Sequence, residues 1–125
     1  MRLRDVLHII RGKPISSDTD LDCEVRTGFA SDLMSDVLRY DGGEGLLVTG
    51  LANPQVVRTA EMAEVTAILI VRGKVPPPET MALAREVGIP ILGTEYTMFE
   101  SCGLLYSAGL PTCSRRNGQH AAGDG

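Results

Sequence analysis

The chain has 125 residues, a hydrophobic content of 43 % and a net charge of −4, which fits one domain with its own core. Its Lys and Arg residues are scattered singly, which argues against a nucleic-acid-binding surface, and no apolar stretch approaches the roughly 18 residues of a membrane span. Three cysteines without framework spacing and an N-terminus without a visible export signal predict a cytoplasmic protein.

The first part of the chain predicts two helices and two strands. Apolar residues spaced i, i+3, i+4 and i+7 from Leu3 predict a helix, and Gly12 is placed to end it. Residues 13–16 can form a short strand, and alternating apolar residues over 23–30 predict a second one. Ser31 is expected to cap the helix that follows.

The middle of the chain repeats one unit three times: a run of consecutive apolar residues, a loop of small and polar residues, and a helix start. The runs are 45–49, 67–71 and 89–92. Because the apolar residues are consecutive and do not alternate, they predict strands that are covered on both faces. We therefore expect an α/β sandwich with helices on both faces of a mainly parallel sheet, with the strand order left open.

Each run leads into a helix with a recognisable start. Asn53 is a preferred N-cap, and Pro54 suits the first helical position because its missing N–H would be unpaired there. Prolines 76–78 form a stiff lead into the next helix. Thr97 and Glu100 form a capping-box pattern, in which each side chain accepts from a free backbone N–H of the other residue.

The end of the chain differs in composition from the rest. Gly109, Leu110 and Pro111 are typical of a helix end, and the residues that follow show no apolar periodicity. We therefore expect an α/β domain over residues 1–110 and a disordered tail over residues 111–125.

The carboxyl ends of parallel strands meet at one edge of a sheet, where ligands commonly bind. Helix N-termini at this edge offer free N–H groups and partial positive charge, which suit a phosphate or carboxylate; Arg72 and Lys74 would add charge. Each residue alone can equally be a cap or a turn residue with a structural role. The candidate ligand-binding residues are Ser31, Asp32, Thr49, Gly50, Asn53, Arg72, Gly73, Thr94 and Thr97.

The sequence shows no signature of catalysis or of metal binding. Residues 18–29 begin like a calcium loop, but Cys23 replaces the required Gly and Phe29 replaces the closing Glu. The glycine cluster at 42–45 precedes a strand and lacks the Lys of a phosphate loop. His8 and His120 have no partner at metal-ligand spacing and fit no Ser–His–acid set. We predict no catalytic residue, no metal and no cofactor.

Four separated stretches resemble the small stand-alone DRTGG-domain proteins, which are similar to the N-terminal domain of HPr kinase/phosphorylase and, through it, of some cell-wall amino-acid ligases. The stretches are 29–38, 49–62, 71–74 and 97–103. The resemblance covers about residues 1–110. The motif that names the family is not intact, because Arg26-Thr27-Gly28 and Arg58-Thr59-Ala60 only echo it.

The resemblance implies a non-catalytic regulatory or accessory domain that self-associates as a homodimer or higher oligomer. Together with the carboxyl edge, it predicts binding of a small anionic metabolite or nucleotide. The alternative is a protein-interaction subunit of a larger enzyme complex, for example a redox complex, with Met34, Met98 and Leu105 on an exposed apolar patch. A kinase or other transferase is least favoured, because the resemblance places the kinase phosphate loop in a separate C-terminal domain.

Overall fold

Five helices and five strands are present in the part of the chain that the computed structural model describes, residues 1–16, 18–40 and 43–113. The helices are α1 (Leu3–Ile9), α2 (Met34–Val37), α3 (Pro54–Met62), α4 (Pro78–Val87) and α5 (Met98–Ser107). The strands are β1 (Lys13–Pro14), β2 (Thr27–Ala30), β3 (Gly45–Thr49), β4 (Ala67–Ile70) and β5 (Ile91–Gly93). None of the described helices is both long and apolar enough to cross a membrane.

The strands form one sheet in the order β1-β5-β4-β3-β2. Strands β2 to β5 are parallel to their neighbours, and only the short edge strand β1 is antiparallel, pairing with β5. Every residue of β3, β4 and β5 is buried, as expected of strands with consecutive apolar residues. The predicted mainly parallel sheet is therefore confirmed.

The helices divide between the two faces of the sheet, and each face has its own apolar core. Leu46 and Val48 of β3 belong to the core beneath α1 and α5. Leu47, between them, belongs to the core beneath α2, α3 and α4. This alternation follows from the two-residue period of a strand, and it confirms the prediction of helices on both faces.

The helix signals near the sheet act as predicted. Asn53 Oδ1 accepts a hydrogen bond from the Val56 N–H at 3.2 Å. Thr97 and Glu100 form the full capping box, with bonds of 2.9 and 3.2 Å. Gly88 ends α4 in the left-handed conformation with φ +80°, which costs a glycine little. These caps fix where the helices begin and end relative to the strands.

Three local predictions were wrong. Strand β2 begins at Thr27 and not at Cys23, because residues 23–25 bond to the chain around Leu3 instead. Ser31 does not cap α2: the N-cap is Leu33, and the Ser31 hydroxyl oxygen accepts from the Leu33 N–H in a tight turn. Helix α1 ends at Ile9, and the residue in the left-handed region after it is Arg11, at φ 49°, and not the expected Gly12.

The chain beyond residue 110 contacts the outer edge of the sheet. The Gly28 N–H donates to the Pro111 carbonyl at 2.9 Å, and Thr112 pairs with Gly28 in an isolated parallel bridge. The rest of the tail predicted to be disordered, residues 114–125, lies outside the described residues. Part of the β2 edge is therefore paired within the chain.

Candidate functional site

The parallel sheet brings four loops to its carboxyl edge. They follow β2, β3, β4 and β5 and contain eight of the nine candidate ligand-binding residues; the ninth, Thr49, is the last residue of β3. Three residues lie close together at this edge: Asp32 after β2, Gly50 after β3 and Arg72 after β4. We call these three residues the Asp32–Arg72 cluster.

Asp32 is tied to the neighbouring strand by its carboxylate. Oδ1 accepts hydrogen bonds from the Thr49 hydroxyl at 2.9 Å and from the Gly50 N–H at 2.7 Å. Thr49 is completely buried, so its hydroxyl needs this acceptor. Upstream, the Ser31 N–H donates to the Val48 carbonyl at 3.1 Å. The position of Asp32 is thus fixed from both sides, although the residue itself is exposed.

Arg72 takes an unusual backbone conformation. Its φ is +62°, a left-handed value that costs a residue with a Cβ about 1–2 kcal/mol. The conformation is held by backbone bonds to the loop after β5: the Arg72 N–H donates to Tyr96 and the Gly73 N–H donates to Thr94, both at 2.8 Å. Strained residues held in place by their surroundings are concentrated at functional sites. The tied turn aims the exposed Arg72 side chain at Gly50.

Gly50 lies between the two charged groups. A Cβ at this position would stand 2.9 Å from Arg72 Nη2 and 3.3 Å from Asp32 Oδ2. Both groups therefore lie on the same side of the Gly50 backbone. The salt bridges of the described residues do not include one between Asp32 and Arg72. A carboxylate and a guanidinium thus face each other near Gly50 without forming an ion pair.

A second carboxylate lies beside the cluster. Gly73 has φ +66°, and a Cβ there would stand 2.6 Å from Glu95 Oε1. Glu95 and Lys74 are both exposed. Arg72 and Lys74 thus provide two positive charges and Asp32 and Glu95 two negative charges, so the edge has no excess of positive charge around Arg72.

The helix N-termini were expected to offer free N–H groups to an anion, and some of these groups have partners within the fold. Asn53 takes the Val56 N–H, Pro54 has no N–H, and Thr97 and Glu100 satisfy each other. The Gly50 N–H is bonded to Asp32. The N–H groups of Gln55, Met98 and Phe99, in the first turns of α3 and α5, have no acceptor among the described residues. An anion at this edge can therefore be bound by these N–H groups as well as by side-chain cations.

The remaining candidate residues have clear structural roles. Thr94 is buried, and its hydroxyl donates to the Ile10 carbonyl at 2.8 Å. Its oxygen also accepts from the Tyr96 N–H at 3.2 Å. Asn53 and Thr97 are caps, and Ser31 stabilises a turn. The structure therefore bonds Asp32 to Thr49 and Gly50 and places the Arg72 side chain beside Gly50, with Gly73 adjacent.

Sequence reasoning missed a groove between β2 and α5. It has a volume of about 330 Å³ and is lined mainly by apolar atoms, with Phe99 and Tyr106 at its rim. These rings are 88 % and 68 % exposed. Their spacing of seven residues, which places them on one face of α5, was the available signal. The expected patch was wrong at Leu105, which is buried because it faces the sheet, and Met34 and Met98 are half-buried.

A larger cavity of about 550 Å³ lies at the opposite, amino edge of the sheet. Its rim carries Glu61, Glu64 and Arg85. Cys23 lines it as well, and burial, followed by the nearby Asp20 carboxylate, raises the pKa of this thiol. Within the described ranges, no group of three or more His, Cys, Asp or Glu side chains is arranged to hold a metal ion. Neither this cavity nor the apolar groove includes the Asp32–Arg72 cluster.

Comparison with known proteins gives a structural match but no sequence match. No family model and no curated protein matches the chain. Among solved structures, the chain is similar to the CBS and DRTGG domains of the regulatory region of Clostridium perfringens pyrophosphatase, complexed with its activator diadenosine tetraphosphate. The TM-score is 0.66 at 12 % identity, and the similarity covers 93 % of this chain.

This similarity establishes the fold. The chain spans about half the length of that pyrophosphatase chain, since the match covers 51 % of it. The mostly parallel α/β architecture is thus shared with a CBS and DRTGG regulatory region. The expected similarity to HPr kinase/phosphorylase stays a prediction.

Proposed function

We propose that this chain is a regulatory or accessory domain that binds a small anionic metabolite or nucleotide at the carboxyl edge of its sheet. In this proposal Arg72 binds the anionic group of the ligand, and Asp32 and Gly50 form the adjacent wall. The domain also self-associates and acts by binding, without a catalytic step of its own.

The observation that carries this proposal is the unpaired guanidinium of Arg72. Its backbone is fixed in a costly left-handed conformation by bonds to the Tyr96 loop, yet its side chain forms no ion pair with any described residue. A positioned guanidinium suits a phosphate or carboxylate because it donates two parallel hydrogen bonds. The left-handed backbone of Arg72 costs free energy, although its guanidinium makes no ion pair within the described residues. A bound ligand that pairs with the guanidinium would explain why this conformation is kept.

The structural similarity supports a regulatory role. The similar region of the pyrophosphatase is regulatory and is complexed with a nucleotide activator. A phosphoryl-transfer site, by contrast, needs a phosphate cradle, metal-binding groups and a positioned acid or base. At this edge three of the amides that could contribute to a cradle, those of Gly50, Val56 and Glu100, are bonded to Asp32, Asn53 and Thr97. Binding is therefore the role that these contacts favour.

A thermal-shift titration tests the proposal. Adenosine monophosphate (AMP), glucose 6-phosphate and acetyl phosphate are added up to millimolar concentration, and a ligand that binds the native state raises Tm. We expect at least one compound to raise Tm of the wild-type protein and to lose this effect in Arg72→Gln. The matched control is Arg85→Gln, the same change at the amino edge, which should respond like wild type. If no compound shifts Tm, or if Arg72→Gln responds like Arg85→Gln, the proposed ligand site is wrong.

The apolar groove supports a second candidate function, a protein-interaction subunit. Exposed aromatic side chains beside an apolar groove are typical of interaction surfaces, and Phe99 and Tyr106 provide them here. Self-association through this surface predicts a mass that increases with protein concentration in sedimentation experiments. Phe99→Ser should shift the protein toward the monomer, whereas Met62→Ser, which removes an exposed side chain from α3, should not. If the groove binds a different protein and not a second copy of this chain, the wild-type protein should sediment as a monomer at all concentrations.

A further inference from the structure

We infer that the ligand of the carboxyl edge carries a hydroxyl group beside its anionic group, so that its chemical class is phosphorylated sugars, nucleotides included. This inference rests on the proposed function and narrows it. It excludes acyl phosphates and simple carboxylic acids as the preferred ligands. The argument depends on what the Asp32–Arg72 cluster has already bonded and what it leaves available.

The Asp32 carboxylate uses its two oxygens differently. Oδ1 accepts from both Thr49 and Gly50, whereas Oδ2 has no hydrogen-bond donor among the described residues and lies 3.3 Å from the Cβ position of Gly50. A carboxylate oxygen can only accept hydrogen bonds. The group that binds Oδ2 must therefore be a donor, and a phosphate or carboxylate oxygen at that point would be repelled.

Arg72 presents the opposite requirement from the other side. Its Nη2 lies 2.9 Å from the same Cβ position, and a guanidinium can only donate. A hydroxyl satisfies both groups, because its oxygen accepts from Arg72 while its hydrogen is donated to Asp32 Oδ2. The two side chains form no ion pair with each other, so each keeps its own requirement for a hydrogen-bond partner. Ammonium groups lack the acceptor and anions lack the donor.

The charges around the cluster limit the anionic part of the ligand. Asp32 and Glu95 balance Arg72 and Lys74, and the Gly50 N–H, the amide nearest to both side chains of the cluster, is bonded to Asp32. A polyphosphate would therefore meet two carboxylates without enough compensating charge. One phosphate on the outer side of Arg72, attached to a sugar whose hydroxyl reaches Asp32, fits this charge pattern. The phosphorylated sugar thus matches both halves of the cluster.

The test uses isothermal titration calorimetry and removes the hydroxyl interaction twice, once by changing the ligand and once by changing the protein. The ligands are AMP and 2′,3′-dideoxy-AMP, which lacks the ribose hydroxyls, and the proteins are wild type and Asp32→Asn. The Asn variant retains Oδ1 for the Thr49 and Gly50 bonds and replaces the acceptor Oδ2 with an amide donor, and its Tm checks that it folds. Glu86→Gln, which removes an exposed carboxylate on α4, is the matched control.

The inference predicts that wild type binds AMP about tenfold or more tightly than dideoxy-AMP, as expected for one hydrogen bond to a charged group. In Asp32→Asn this difference should disappear, and in Glu86→Gln it should persist. If wild type binds both nucleotides equally and Arg72→Gln weakens both, the hydroxyl inference is overturned while the proposed function survives. A difference that persists in Asp32→Asn overturns the inference as well. If neither nucleotide binds wild type, and glucose 6-phosphate and acetyl phosphate also fail, both are overturned.

Discussion

Replacing Asp32 should measure directly how strongly its carboxylate holds the carboxyl edge together. In Asp32→Ala the Gly50 N–H and the Thr49 hydroxyl lose their shared acceptor. A buried donor without a partner costs about 1–3 kcal/mol, and Thr49 is completely buried. Because the Asp32 side chain is exposed, water can enter the space and reduce the cost. We therefore expect Asp32→Ala to lower the free energy of unfolding by about 2–3 kcal/mol.

The Asn variant separates the hydrogen bonds from the charge. Asp32→Asn keeps an oxygen acceptor in place but weakens the two charge-assisted bonds to neutral ones, at a cost of about 1 kcal/mol. Urea unfolding at 25 °C, followed by circular dichroism, gives both values. With a slope of about 1–3 kcal/mol per molar urea, Asp32→Ala should lower the midpoint by about 0.7–3 M.

The control for the Asp32 variants is Glu86→Ala, measured by the same urea unfolding. Glu86→Ala removes an exposed carboxylate that has no described side-chain bond and should stay within about 0.5 kcal/mol of wild type. The reasoning fails if Asp32→Ala also stays within that range. It fails too if Asp32→Asn costs as much as Asp32→Ala, since the carboxylate oxygen would then not be the group that matters.

Three further substitutions or measurements test other parts of the fold. Gly12→Ala should cost about 1–3 kcal/mol in urea unfolding, because its Cβ would meet the Gly93 backbone oxygen at 2.4 Å; an unchanged midpoint would contradict this. Thr94→Val should cost about 1–3 kcal/mol in urea unfolding, because the Ile10 carbonyl and the Tyr96 N–H both lose a partner; a free energy of unfolding equal to that of wild type would refute this. Burial raises the pKa of Cys102 above its ordinary 9.0, so the rate at which iodoacetamide alkylates this thiol should still increase above pH 9. The neutral thiol stabilises the folded state, and this stabilisation should be lost as the pH rises through the same range. A rate that reaches its plateau below pH 9 would contradict the burial of the thiol.

The sheet could be predicted from the sequence because its signals are local. The consecutive apolar residues of 67–70 identify a doubly covered strand without knowledge of its neighbours. Asn53 before Pro54 likewise indicates a helix start, since both preferences arise from the backbone groups next to them. Strand β2 was harder to delimit, because residues 23–25 satisfy both a strand pattern and the bonds to α1 that they actually make.

The candidate site could be predicted only as a region. The topology places Asp32, Gly50 and Arg72 at one edge, but local preferences do not indicate that Asp32 takes the Gly50 N–H. The left-handed conformation of Arg72 is also hidden, because it depends on backbone bonds to Tyr96 and Thr94, more than 20 residues away along the chain. The exposed face of α5 was missed for a related reason. Phe99 is apolar, as core residues are, and only the packing of α5 on the sheet determines that its side chain faces water.

Amide chemical-shift mapping tests the central claim, that the carboxyl edge is the ligand site, most directly. AMP is titrated into the ¹⁵N-labelled protein, and the amide shifts of the three candidate regions are compared. The account predicts that the largest changes occur at Gly50, Arg72 and Gly73. Changes confined to Gly88 at the amino-edge cavity or to Gly103 in the apolar groove, with the carboxyl edge unaffected, would contradict it.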